Sequence, residues 1–160
     1  SVIDRVTSFG RVLSLMEFSS TTRRRDRCEA ARETVERSGE VAFFVENAFA
    51  TELSKAVADA IGSQVATAVF CGSDLIAIGV MRQARQSGIK IPEELSIVGF
   101  DDIPWAEYCT PGLTTVEMPV DEMATEAVDA VIRKIEGESD ANRRVVFGVS
   151  LITRNSTARH

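Results

Sequence analysis

The chain has a single histidine, His160, and it is the last of 160 residues. No imidazole-based nucleophile pair can be drawn from the sequence, and a zinc site of the usual His/Cys type has no ligand set. Cysteine is scarce too: Cys28, Cys71 and Cys109 are odd in number and far apart, with no C-x-x-C pair. They are expected to be reduced core or interface thiols of a cytoplasmic protein rather than a disulfide frame. No run of ~18 apolar residues exists, so nothing is expected to span a membrane. No charged segment followed by an apolar stretch opens the chain, so no signal peptide is visible. It starts Ser1-Val2-Ile3 without a methionine, as a trimmed fragment or a cloning remnant would. Basic residues are in the minority, 18 against 24 acidic, and the net charge of −6 argues against direct nucleic-acid binding by this stretch. G-x-G-x-x-G, G-x-S-x-G and the P-loop are absent, so no cofactor and no catalytic constellation are expected. There is no internal repeat and no low-complexity segment.

What remains is a chain that is 44% hydrophobic and 26% charged, able to bury a core and stay soluble. Its clearest stretch is residues 95–102, L-S-I-V-G-F-D-D. Apolar residues along both faces suit a central strand of a parallel sheet, and the strand runs into two carboxylates and the breaker Pro104. Strands are also expected over residues 11–16, 41–45 and 65–71, each followed by a helix, over about residues 22–37, 48–61 and 75–87. Strand–helix repeats joined by short loops predict an α/β fold with a doubly wound parallel sheet. Every strand exit is polar: Ser19 and Ser20, Glu46 and Asn47, Ser73 and Asp74, Asp101 and Asp102. Ligands of such sheets sit outside the carboxyl ends of the strands. Beyond Pro111-Gly112, residues 113–118 read as extended and Pro119 opens a long helix ended by Gly137. Its apolar face holds Val120, Met123, Ala124, Ala127, Val128, Val131, Ile132 and Ile135. A last strand is expected over residues 145–152.

Four stretches together resemble the effector domain of the lactose/galactose repressor (LacI/GalR) family of transcriptional regulators. Residues 68–79 (A-V-F-C-G-S-D-L-I-A-I-G) look like the family's strand, A/S-N/S-D pair and L-x-A-x-G helix. Residues 88–102 follow its G-x-x-x-P-x-D/E-x-S-x-x-G-F/Y-D-D run, residues 111–116 its P-x-L-T-T-V crossover, and residues 154–157 its closing R-x-S-T. The match is looser over residues 11–62, where Arg27 and Cys28 replace a glycine and an aromatic. The resemblance implies a periplasmic-binding-protein-like, Rossmann-like lobe, with one long helix returning toward a missing first lobe. Residues 11–116 and 145–160 would form the C-terminal effector lobe, 117–137 a helix of the first lobe and 1–10 a linker or its leftover; the DNA-binding head would be absent.

The resemblance implies ligand contact at Asp101, where a carboxylate can accept from two sugar hydroxyls at once; the alternative is a carboxylate that only caps a turn. Arg24 is singled out by the same pattern, against the reading of residues 23–27 as a solvated basic run. Ser20 and Ser73 match ligand-contacting positions; Ser20 is equally well placed to cap a helix, and Ser73 stands where many relatives have Asn. Asp74 reads as the helix cap, and Asp102 as a structural carboxylate fixing the loop. Phe49 matches a ligand-stacking aromatic, or is a core residue at a helix start. Trp105 either rims the crevice or packs at the hinge.

On the helix after Ser73, the residues Ile76, Ala77, Val80, Met81 and Ala84 form the face expected to cover the sheet. Leu75 and Ile78 lie opposite, beside Arg82, and the resemblance implies a homodimer through that patch; contact with a loop of the same chain is the alternative. The expected partners are a small-molecule effector (a sugar or related polyol or nucleoside) and a second copy, with operator DNA reached only through the absent head. Two other functions stay open: a solute-binding protein of a sugar transport system, and a small α/β enzyme using Asp101 and Asp102.

Overall fold

The computed structural model describes residues 12–17, 42–47, 55–63, 66–137 and 144–158. In chain order the elements are β1 (Val12–Glu17), β2 (Ala42–Asn47), α1 (Lys55–Gly62), β3 (Ala68–Cys71), α2 (Asp74–Gln86), β4 (Ser96–Asp101), α3 (Trp105–Tyr108), β5 (Thr114–Glu117), α4 (Val120–Ile135) and β6 (Ser150–Ile152). The strands form one sheet in the order β2-β1-β3-β4-β5-β6. The first five are parallel, as their apolar character predicts, with Leu13 opposite Phe43 and Val69, Phe70 opposite Val98, and Phe100 opposite Val116.

The core lies where α2 covers the sheet. Ile76, Ala77, Val80, Met81 and Ala84 are buried against Val69, Ile97 and Leu113, so the face expected to cover the sheet does so. Ser73 is the residue before α2, and its hydroxyl accepts from the Ile76 N–H. Asp74 is therefore not the cap that the sequence suggested. A neighbouring hydroxyl already does that work, and the Asp74 carboxylate is buried on the far side.

Beyond Asp101 the chain makes a single helical turn, α3, which the sequence reading did not anticipate. Three segments differ from expectation by length. β3 starts at Ala68 rather than residue 65, β4 spans Ser96–Asp101, and β6 has only three residues. β6 is antiparallel to β5 and sits at the sheet edge. β5 is only four residues long, so it has no partners to offer residues 145–149. The helix expected over residues 22–37 and the start of the second one lie outside the described residues.

The closing R-N-S-T segment ties β4 to β5. The Ser156 hydroxyl donates to the Ile97 carbonyl at 2.6 Å and accepts from the Thr114 N–H at 2.8 Å, and it is fully buried. The Ile97 N–H donates to the Ser156 carbonyl at 2.8 Å. Ser156→Ala strands a buried donor and a buried acceptor, which costs about 1–3 kcal/mol. Urea denaturation should show a lower midpoint with an unchanged slope; a midpoint equal to wild type would refute this role.

Candidate functional site

The parallel strands bring their carboxyl ends to one edge of the sheet. The chain steps from β1 outward to β2, then returns to place β3 on the other side of β1. The strand order reverses there, so the crevice between the ends of β1 and β3 is the place where sheets of this kind bind ligands. Glu17 closes β1, and Gly72-Ser73 follow β3 directly. Asp101 ends β4, one strand further along, opposite Glu117 of β5 in the ladder. The sequence placed candidate contacts at all four strand exits; the strand order puts the switch point between β1 and β3, with β4 beside it. A switch point is a property of strand order, which no local pattern reports.

Of the predicted ligand contacts, Asp101 and Ser73 are on this edge, both half-buried. Ser20, Arg24 and Phe49 lie outside the described residues.

The turn that presents Asp101 is conformationally unusual. Asp101 has φ 112° and Asp102 has φ 54°, both in the range that side chains with a Cβ seldom occupy. Strain of this kind persists only where surrounding contacts over-determine it, and such sites cluster at ligand clamps. Two clamps are present. Arg154 Nη1 donates to Asp102 Oδ1 at 2.7 Å and to the Leu113 carbonyl at 2.9 Å. Asp102 is thus the structural carboxylate that the sequence suggested. On the other side, Asp74 Oδ2 accepts from the Ile103 N–H at 2.8 Å, and Asp74 Oδ1 accepts from the Thr115 hydroxyl. Burial raises the Asp74 pKa above the usual carboxylate range and the Asp102 charge adds to this, while the hydrogen bonds from Thr115, Ile103 and Phe100 oppose it.

Cys71 and Cys109 are free thiols, and burial pushes both up, with the Asp74 charge adding to it. Burial of this kind disfavours the thiolate, and Cys71 lies in the core with Cys109 packed against it. Thr115, Arg154, Ser156 and Gly99 were not singled out as site residues. All four lie in the motif stretches, so the signal was present, but their partners are far off in sequence, Asp74 for Gly99 and residues 41 to 59 positions away for the other three.

Leu75 is 46% exposed, Ile78 half-buried and Arg82 exposed, so the second apolar side of α2 is open to solvent within this chain. Trp105 and Tyr108, on the single turn α3, are 67% and 77% exposed. No helix among the described residues is long and apolar enough to cross a membrane.

The profile of the Periplasmic binding protein-like domain matches residues 6–157. Among curated proteins, the HTH-type transcriptional regulator MalR of Streptomyces coelicolor is 40% identical over 110 residues, covering 69% of this chain and 32% of that protein. The HTH-type transcriptional repressor CytR of Escherichia coli K12 is 40% identical over 94 residues, covering 59% of this chain and 28% of that protein. The chain therefore spans about a third of the length of these relatives. Among solved structures, the transcription regulator CcpA of Lactococcus lactis superposes with a TM-score of 0.85 at 19% identity, covering 98% of this chain and 60% of that one. A LacI family regulator from Enterococcus faecium with bound ribose gives 0.82 at 21%, covering 99% and 60%. The parallel sheet with its switch point and the family match agree: the chain belongs to the periplasmic-binding-protein-like domain family, and the curated proteins it is similar to are transcriptional regulators.

Proposed function

We propose that this chain is the ligand-sensing part of a cytoplasmic LacI/GalR-type repressor, and that its sheet edge takes a sugar or a related polyol or nucleoside. The observation that carries this is the Asp101–Asp102 turn: a carboxylate held in a strained, doubly clamped conformation beside a topological switch point. A carboxylate there accepts two hydroxyls of one ring, and the ribose bound to a structural neighbour has that chemistry. The enzyme alternative has less support, since Asp102 is engaged by Arg154 and stands in a clamp. Arg24, Ser20, Ser73 and Phe49 complete the site in this reading.

Asp101→Ala in the intact two-lobed protein should weaken effector binding about 100-fold, the loss of two charge-assisted hydrogen bonds, and leave folding intact. A thermal-shift screen of pentoses and nucleosides supplies the ligand, and calorimetric titration checks the affinity. Equal affinity in the mutant would remove Asp101 from the site.

The domain reading has support from α4. None of its residues is buried, and Ile135 is 79% exposed, which suits a helix whose apolar face is covered by the first lobe of the longer protein. Residues 117–137 would then belong to that lobe, and 11–116 with 145–160 to this one.

A second copy would cover Leu75, Ile78 and Arg82. A symmetric pairing sets the same patch of each chain against the other, and spaces two DNA-reading heads on an operator. Ile78→Asp puts a charge into that patch and should give folded monomers in sedimentation. A dimeric mutant would place the interface elsewhere.

A further inference from the structure

The buried carboxylate of Asp74 has no role in capping α2 and none in the ligand contacts just proposed. Burying a charge is costly unless the site returns something for it. Each hydrogen bond it makes is with a donor: the Ile103 N–H at 2.8 Å, the Thr115 hydroxyl, and the Phe100 backbone. Phe100 is the penultimate residue of β4 and Ile103 lies in the turn that follows it, so these two donors flank Asp101 and Asp102. The third, on β5, fixes the direction of the carboxylate.

Gly99 completes the seat. A Cβ at residue 99 would fall on Asp74 Oδ1, well inside van der Waals contact. The absence of a side chain there lets the carboxylate lie against the β4 backbone just ahead of the turn. Ser73 caps the helix, which leaves Asp74 free to reach across. From the opposite side Arg154 holds Asp102. The two left-handed residues are thus gripped between a carboxylate that binds their N–H neighbours and a guanidinium that binds a side chain.

We propose that Asp74 is the positioning residue of the site: its carboxylate, seated against Gly99, holds the turn over residues 100–103 in the conformation that presents Asp101 at the sheet edge. The inference deepens the reading of Asp101 as the ligand contact and rests on it. Asp74→Asn is the telling substitution, since it keeps the shape but turns one acceptor into a donor. The amide is uncharged and leaves one acceptor oxygen where the carboxylate had two, so its hold on the Ile103 N–H weakens.

The test is amide exchange and backbone coupling on the ¹⁵N-labelled 160-residue chain, with no ligand present. In Asp74→Asn the Ile103 amide should exchange roughly tenfold faster or more, the cost of one charge-assisted hydrogen bond. The backbone coupling of Asp101 should move away from its left-handed value, while the amides of Val69 and Ile97 keep wild-type protection. A folded Asp74→Asn protein with unchanged Ile103 exchange and unchanged Asp101 coupling overturns the proposal. Should that variant fail to fold, Thr115→Val keeps the charge and removes only the hydroxyl that aims it. Several-fold faster exchange confined to the turn then supports the proposal; uniform loss of protection, or none, overturns it. Asp101→Ala leaves the Ile103 anchor in place, so a failed ligand contact is read in titration and a failed anchor in exchange.

Discussion

Gly99→Ala is expected to destabilise the domain by about 3–5 kcal/mol, the range for disrupting a buried charge and its partners. The new methyl would occupy the place of Asp74 Oδ1 and come within 3.0 Å of Leu113 Cδ2. Neither neighbour can give way cheaply. Leu113 is fully buried in the core, and the Asp74 carboxylate is fixed by Thr115 and Ile103. Moving the carboxylate strands its donors, so the cost combines overpacking with lost hydrogen bonds. A domain of this size is stable by only ~5–15 kcal/mol, so the loss is a large share of the total. Chemical denaturation should show a much lower midpoint. The cause is checked in an Asp74→Ala background, where the methyl has room and the added cost of Gly99→Ala should shrink to that of the Leu113 contact. Equal costs in both backgrounds would show that the Asp74 seat is not the reason for the glycine.

Arg154→Met is the second large effect, at about 3 kcal/mol. The side chains of Arg154 and Asp102 are 19% and 17% exposed, so the pair is well shielded but not sealed, and the lower end of the buried-pair range applies. Methionine keeps much of the apolar stem and removes the charge. Asp102 is then left as a shielded carboxylate without its counter-ion, in a turn that already carries backbone strain. The Leu113 carbonyl also loses a donor at 2.9 Å. Adding Asp102→Asn should recover part of the loss, because the uncompensated charge goes with it. Denaturation of the two single variants and the double one gives the coupling directly. Strict additivity would mean that the ion pair contributes nothing to the turn.

Local pattern made the fold class legible. Residues 96–101 read as a central strand because both faces are apolar, and α2 read as a two-sided helix because its apolar positions repeat at helical spacing. Both properties depend on neighbours within a few residues, which is why β4, α2 and the buried face of α2 are found where the sequence puts them. The same holds for Asp101 at a strand exit, and for the motif stretches that carry the family resemblance. Edges were harder. The expected strand over residues 145–152 shortens to three residues because its length depends on how much of β5 is there to pair with it.

Asp74 shows most sharply where local reading ends. A carboxylate beside a helix start has the spacing of a cap, and the sequence alone favours that role. The fold puts Ser73 into the cap and turns Asp74 toward Ile103 and Thr115, 29 and 41 residues away. By itself the sequence determined the described strands β1 to β5, their parallel pairing, the helices α2 and α4 and the residue types at the strand ends, since period, polarity and breakers act over short range. Only the tertiary structure decided the strand order, the position of the switch point between β1 and β3, and the pairing of the Asp74 carboxylate with Ile103 and Thr115. Those depend on contacts between residues far apart in the chain, whose energies no local pattern encodes.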